Sequence, residues 1–391
     1  THAFSLADQY FPTEIQKFQF FDKYSRFDYT LGRRETWIET VDRALKYLYT
    51  LSEGKLPNHE YVRISNFMLE MKATPSMRLL AMAGKAAERQ NIAIYNCSYL
   101  PMDSIDSFVE ELIISMAGCG VGFSVEWKYV EQLPPVKPQG QTGKDQHLVM
   151  DSTEGWAHAF REGLTHWFAG QDILFDYTMV RPVGTPLKTK GGRASGPEPL
   201  KKLLDFSRER ILARQGQKLR PLDAHDIACK IGEAIVSGGV RRTALISLFN
   251  ANDSEMLHCK DGDLTGNEQR YLANNSTVWT EEVSQDNLKK QMYTMVDGQR
   301  GEPGIFSRYN ANNTKPKRRK NADFGTNPCG EINLRPYQFC NLTIAIARES
   351  DTLDTLKEKV EVATLIGTIQ SMATNFPGLR PIWKKNCEEE R

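Results

Sequence analysis

Apolar positions recur at helical intervals in ETWIETVDRALKYLYTL (35–51) and NHEYVRISNFMLEMKA (58–73), which predicts a mostly helical region over residues 1–95, with Asn58 opening the second helix. NIAIYNCSYL (91–100) is short, apolar and alternating, and reads as a strand ending at or near Cys97. DSIDSFVEELIISMAGCG (103–120) has the pattern of an amphipathic helix, with Asp103 or Ser104 at its start and Gly118 or Gly120 at its end. VGFSVEW (121–127) follows as a strand, and the Pro- and Gly-rich QLPPVKPQGQTGKDQ (132–146) as a loop. Further along, helices are predicted over 152–168, 200–237 and 352–374, and strands over 172–184 and 240–249. NPCGEINL (327–334) reads as a tight turn and FCNLTIAIA (339–347) as strands, while KPKRRK (315–320) is a solvated loop. Strands alternating with helices imply an α/β architecture with a mostly parallel sheet or barrel.

The 391 residues carry a formal net charge of +1, with 40% hydrophobic and 25% charged positions, the balance of an ordinary globular chain. That neutrality gives no electrostatic reason to expect a nucleic acid or membrane partner. No run is long and apolar enough for a membrane span, and the first residues lack the basic and apolar regions of a secretory signal. The seven cysteines are odd in number and widely spread, with no C-x-x-C pair. This argues against a disulfide scaffold or structural zinc site, and for a reducing, cytoplasmic setting.

The chemistry concentrates in NPCGEI (327–332). On an extended segment Cys329 and Glu331 share one face. A carboxylate beside a thiol raises the thiol pKa, which suits a hydrogen-atom carrier better than a thiolate nucleophile. The carboxylate then serves as a base toward a substrate hydroxyl. An isolated Cys-x-Glu is more often a structural cysteine near a surface glutamate. Here it stands at the end of a series: ATPSMR (73–78), NCSY (96–99), CGVGFSV (119–125), GGRASGP (191–197), GGVRRTALISLF (238–249), NNSTV (274–278), GEPGIF (301–306), GTNPCGEINL (325–334) and FCNL (339–342). This series resembles the large chains of ribonucleotide reductases, most of all the adenosylcobalamin-dependent class, from about residue 73 onward.

The resemblance implies a ten-stranded α/β barrel, incomplete at its C-terminal end, over residues 96–391. It implies reduction of ribonucleoside di- or triphosphates to deoxyribonucleotides. Cys329 matches the thiyl-radical cysteine that takes the 3′-hydrogen, Glu331 the base for the 3′-hydroxyl proton, and Asn327 the amide that hydrogen-bonds and orients Glu331 and the substrate. Cys97 and Cys340 match the two thiols that supply electrons and end as a disulfide, to be reset by a thioredoxin- or glutaredoxin-type reductant. Thr74 and Ser76 match the substrate-phosphate segment, a role that a hydroxyl with free backbone N–H groups suits, although a helix cap accounts for them as well. Asn96, Gly120 and Gly122 match positions lining the substrate, and a helix stop is an equal reading of the glycines. Asp103, Ser104, Arg181, Lys188 and Arg241 match the specificity site for an allosteric deoxynucleoside triphosphate, where basic side chains suit the phosphates and a carboxylate a ribose hydroxyl.

Two departures from the family pattern shape the expectations. Residues 1–95 leave no room for the ATP-binding cone, so no overall-activity site is expected. The chain stops at WKKNCEEER, before the family's later barrel strands and C-terminal cysteine pair, as a fragment, split gene or intein-interrupted product would. A complementary C-terminal chain is therefore an expected partner. The implied cofactor is adenosylcobalamin, with a radical supplied by a metal-containing small subunit as the alternative. The short segment between Cys97 and Gly118 suggests a homodimer built around helices 103–117 and 152–168. The competing reading is a catalytically incomplete nucleotide-binding fragment.

Overall fold

The computed structural model describes residues 6–140, 145–185, 193–237 and 244–390. The chain forms two compact units, one of Thr1–Asn96, Asn341–Pro377 and Cys387–Arg391, the other of Cys97–Cys340 and Gly378–Asn386.

In the first unit the helices Trp37–Leu51, Asn58–Leu69 and Leu353–Gln370 pack on a two-stranded antiparallel sheet of Ala73–Pro75 and Thr343–Ala345. Trp37–Leu51 starts with a capping box: Thr36 Oγ1 accepts from the Glu39 amide, and the Glu39 carboxylate accepts from the Thr36 amide at 2.7 Å. The helix predicted over 58–73 ends at Leu69, because Met71 adopts a positive φ and the chain turns into the strand. The predicted C-terminal helix is present as Leu353–Gln370, but it packs on the N-terminal helices, so residues 341–377 join this unit rather than the one that follows Asn96.

The second unit holds a six-stranded sheet. Its strands are β1 (Cys97–Pro101), β2 (Gly120–Ser124), β3 (Leu245–Asn250), β4 (Ala273–Trp279), β5 (Gly304–Ser307) and β6 (Gln338–Cys340). They lie in the order β5-β4-β3-β2-β1-β6. The first five run parallel, and β6 is antiparallel on β1. This is the expected α/β class, with an open six-stranded sheet among the described residues. Strand β1 begins at Cys97 instead of ending there. Asn91–Ile94 forms a 3-10 turn, held by Asn91, whose Oδ1 accepts from the Asn375 amide at 2.6 Å and whose Nδ2 donates to the Ala87 carbonyl at 2.8 Å.

On one face of the sheet Leu100, Val121, Phe123, Leu245 and Phe249 are buried, and the helices Ile105–Ala117, Thr153–Phe168, Glu198–Leu212 and Pro221–Ser237 pack on one another beside it. Ile105–Ala117 ends at Gly118, whose φ of 83° makes it the left-handed C-cap. Phe108, Val109, Leu112, Ile113 and Ile114 of this helix are all buried within the chain. The helix is thus enclosed on every side rather than amphipathic.

Candidate active site

The opposite face of the sheet carries Cys97 and Tyr99 from β1, Gly120 and Gly122 from β2, Ile246 and Leu248 from β3, Val278 from β4, Phe306 from β5 and Cys340 from β6, as strand register requires. Onto this face folds a hairpin in which Gly325–Thr326 pairs antiparallel with Asn333–Leu334. Leu334 and Ile332 pack with Tyr99, Ile246, Leu248, Val278 and Cys340 in one apolar cluster.

Two glycines permit this approach. A Cβ on Gly122 would stand 1.9 Å from the Thr326 carbonyl oxygen, and one on Gly325 would stand 2.1 Å from the Tyr99 ring. Gly120 faces Pro328, 3.1 Å from its would-be Cβ, and the Cys97 sulfur at 3.4 Å. Gly120 and Gly122 are therefore strand residues that admit the hairpin, while Gly118 performs the helix stop.

The hairpin tip is a β-turn in which the Gly330 amide donates to the Asn327 carbonyl at 2.9 Å. Asn at its first position, Pro328 at the second and Gly330 at the fourth are the residues that such a turn favours, and Gly330 adopts φ 84°. Asn327 is fully buried, and its Oδ1 accepts from the Ile332 amide at 3.0 Å, closing the loop. Its Nδ2 is buried with no hydrogen-bond partner among the described residues. A buried amide donor left unpaired is costly unless something else accepts from it. Pro328 is buried, whereas Cys329, Gly330 and Glu331 are exposed, so the thiol and carboxylate sit at the open tip. Burial of the sulfur, the Glu331 charge and the Cys97 thiol all push the Cys329 thiol above its ordinary pKa.

Beneath the tip, Cys97 and Cys340 are direct partners across the antiparallel β1–β6 pair, and no disulfide joins them. Directly opposite residues have Cα atoms roughly 4.5–5.5 Å apart, inside the roughly 4.4–6.8 Å span of disulfides. The hydrogen bond with Cys97, then burial, then the Cys97 and Cys119 charges raise the Cys340 pKa strongly, which favours the protonated thiol. Cys97 and Cys340, far apart in the sequence, thus share one face of the sheet, and the hairpin that carries Cys329 folds onto that face.

The remaining predicted positions fall elsewhere. Thr74 and Ser76, in the first unit, are buried; Ser76 caps the short helix Met77–Met82 through the Leu79 amide at 3.2 Å. Asn96, also in that unit, is half-buried with an unpartnered side-chain oxygen. Asp103 and Ser104 precede the helix Ile105–Ala117 and are tied into a polar cluster. Asp103 accepts from Ser107 at 2.9 Å and from Tyr337, and Arg380 donates to Ser104 at 2.9 Å. Arg380 also pairs with the buried Glu110, donating to its Oε1 at 2.9 Å and to its Oε2 at 2.7 Å. Arg181 pairs with Asp151. Lys188 and Arg241 lie outside the described residues. The sequence reading did not include Tyr337, Glu110 or Arg380, nor a buried Glu126–Arg308 pair, although Glu126 follows CGVGFSV and Arg308 follows GEPGIF.

The fold is that of ribonucleotide reductase catalytic chains. A crystal structure of a B12-dependent (class II) ribonucleotide reductase matches with a TM-score of 0.79 and 24% identity, covering 95% of this chain and 61% of that one. The α subunit of the class Id enzyme of Actinobacillus ureae matches with a TM-score of 0.51 and 10% identity, over 94% of this chain and 56% of that one. No protein-family model matches the chain. Among curated proteins, the adenosylcobalamin-dependent ribonucleoside-triphosphate reductase of Euglena gracilis is 28% identical over 85% of this chain and 49% of its own length. Its namesake from Lacticaseibacillus paracasei is 27% identical over 82% of this chain and 52% of its own length. The chain is a relative of the adenosylcobalamin-dependent ribonucleotide reductases, and it spans about half the length of the curated relatives it matches.

Proposed function

We propose that this chain carries the radical and dithiol centre of an adenosylcobalamin-dependent ribonucleotide reductase, which reduces a ribonucleoside triphosphate to its 2′-deoxy product. The observation that carries this reading is the juxtaposition of an exposed Cys329–Glu331 tip with an in-register Cys97–Cys340 pair on one sheet face. The names of the relatives favour a triphosphate substrate.

In this reading Cys329, as a radical, takes the 3′-hydrogen of the ribose and later returns a hydrogen to the same carbon, so it is not consumed. Glu331 accepts the 3′-hydroxyl proton, and the unpartnered Asn327 Nδ2 donates to the carboxylate or to the substrate. The Cys97 and Cys340 thiols supply two electrons and two protons: the C2′–O bond breaks, the hydroxyl leaves as water, a C2′–H bond forms, and one S–S bond remains. A raised Cys340 pKa keeps a proton available for the leaving hydroxyl.

The residues fit the cofactor named for the relatives. Cys329 is exposed and held as a thiol, so it has a hydrogen atom to give, and the open tip Cys329–Glu331 is the part of the chain that would meet the group. Adenosylcobalamin supplies, when bound, the radical chemistry that removes that hydrogen atom. We further propose that the six-stranded sheet is part of the family's ten-stranded barrel. Asp103 and Ser104, with Arg181, Lys188 and Arg241, form the effector site in this reading, and Gly120 and Gly122 line the substrate. A thioredoxin- or glutaredoxin-type protein resets the dithiol.

The test is conversion of a ribonucleoside triphosphate by the purified chain with adenosylcobalamin and a small dithiol. Deoxynucleotide formed by the wild type and lost in Cys329→Ser supports the reading. Nucleotide binding without any conversion by the wild type favours the incomplete nucleotide-binding fragment instead.

A further inference from the structure

The tip of the hairpin is held by a single β-turn and is exposed, so something must fix its root for Cys329 to keep one position above the sheet. The residues entering the hairpin, 322–324, are gripped from two directions. Arg308, in the helix Arg308–Thr314 that follows β5, donates from Nε to the Phe324 carbonyl at 2.7 Å. Its two terminal nitrogens donate to the Glu126 carboxylate at 2.8 and 2.7 Å. Glu126 lies just beyond β2 and also accepts from Ser124 Oγ at 2.8 Å. One turn along the Arg308 helix, Asn312 exchanges two hydrogen bonds with Ala322, each 3.0 Å. Lys128 pairs with Asp323 at 2.8 Å.

Glu126 and Arg308 are both buried, at 2% and 3% exposure. Burial works against the Arg308 charge, and the Glu126 carboxylate overrides it, so the guanidinium stays above its ordinary pKa. Such a pair is weak evidence for stability, since taking two charges out of water offsets much of their attraction. What the planar fork adds is geometry: two donors fixed on one carboxylate leave the third aimed at one carbonyl. Phe324 immediately precedes Gly325, which lies against Tyr99, and Cys329 is five residues beyond.

We propose that Arg308 and Glu126 are positioning residues for Cys329, coupling the ends of β2 and β5 to the root of the hairpin and so setting where the tip thiol stands. This rests on the proposed reductase reading for its consequence in turnover, but not for its geometry.

The experiment uses the full chain with Arg308→Lys, which keeps the charge but not the fork, and Glu126→Gln, which keeps the shape but not the charge. Three measurements are made: the pH profile of Cys329 alkylation by iodoacetamide, read by peptide mass; oxidative cross-linking of Cys97 to Cys340; and turnover. The expected result is a lower pH midpoint for Cys329 alkylation, as the thiol moves away from Cys97, one of the groups that raise its pKa. Cross-linking should match the wild type, which shows that the sheet is intact. Turnover should fall about tenfold or more at unchanged KM, as misplacement of a reacting group does. Folded variants with a wild-type alkylation profile overturn the proposal, and so does loss of fold in both, which would make the pair a folding determinant. Because alkylation and cross-linking need no turnover, an inactive wild-type chain counts against the reductase reading alone.

Discussion

Replacing Gly122 by alanine is the sharpest test of how the hairpin sits on the sheet. The added Cβ would stand 1.9 Å from the Thr326 carbonyl oxygen, with Thr326 C at 3.1 Å and Ile246 Cγ2 at 3.2 Å. Ordinary contact begins near 3.4 Å, so Thr326 must retreat by about 1.5 Å along that direction. The obstacle is backbone in a paired strand, not the end of a flexible side chain, so the hairpin moves as a unit or β2 distorts. Overpacking of this kind costs about 1–3 kcal/mol. A displacement of about 1 Å at a reacting group is enough for about a hundredfold loss of rate. We therefore expect G122A to remain folded, to lose about 2 kcal/mol of stability in urea unfolding, to alkylate faster at Cys329 as the hairpin carries its thiol away from Cys97, and to lose about two orders of magnitude in any turnover. Gly330→Asn is the control: no atom lies within 4 Å of its would-be Cβ, and asparagine tolerates its φ of 84°. A G122A chain with wild-type stability and an unchanged Cys329 alkylation rate would refute the packing argument.

Three further outcomes follow from the site. Glu331→Gln removes one of the causes that raise the Cys329 pKa, so the midpoint of its alkylation profile should move down and the rate at mildly alkaline pH should rise, by up to about tenfold for each pH unit that the midpoint moves; an unmoved profile would place the carboxylate out of reach of the sulfur. Mild oxidation should join Cys97 to Cys340 ahead of any other pair, because they are register partners on β1 and β6, and peptide mapping that finds Cys329 as the preferred partner instead would contradict that register. Arg380→Met leaves Glu110, at 1% exposure, as a buried unpaired charge and should cost about 3 kcal/mol or more in urea unfolding; a change below about 0.5 kcal/mol would mean that the pair is solvated.

The residues proposed to bear the chemistry were legible because they lie in short contiguous runs with local meaning. Asn327, Pro328 and Gly330 spell a turn, and the structure forms that turn. The helix Thr153–Phe168 was legible for the same reason, since its apolar period is local. What failed was set from far away in the chain. Residues 91–94 alternate like a strand but form a 3-10 turn, because Asn91 bonds to Asn375, well over two hundred residues later. The helix 105–117 looked amphipathic, yet its polar positions Glu110 and Glu111 are buried too, the first by Arg380 from the C-terminal region. Gly120 and Gly122 could be matched to the site, but the reason for their lack of a side chain, a hairpin entering from 325, is a tertiary fact.

The central claim is that Cys329 works at an exposed tip while Cys97 and Cys340 are consumed beneath it. It is tested most directly in a single turnover of the fully reduced chain with adenosylcobalamin and a ribonucleoside triphosphate, with no external reductant. Deoxynucleotide and the Cys97–Cys340 disulfide are then counted together. The account predicts one disulfide for each deoxynucleotide formed, and neither in Cys329→Ser. Absence of product from the wild-type chain, product without that disulfide, or product that survives Cys329→Ser would contradict it.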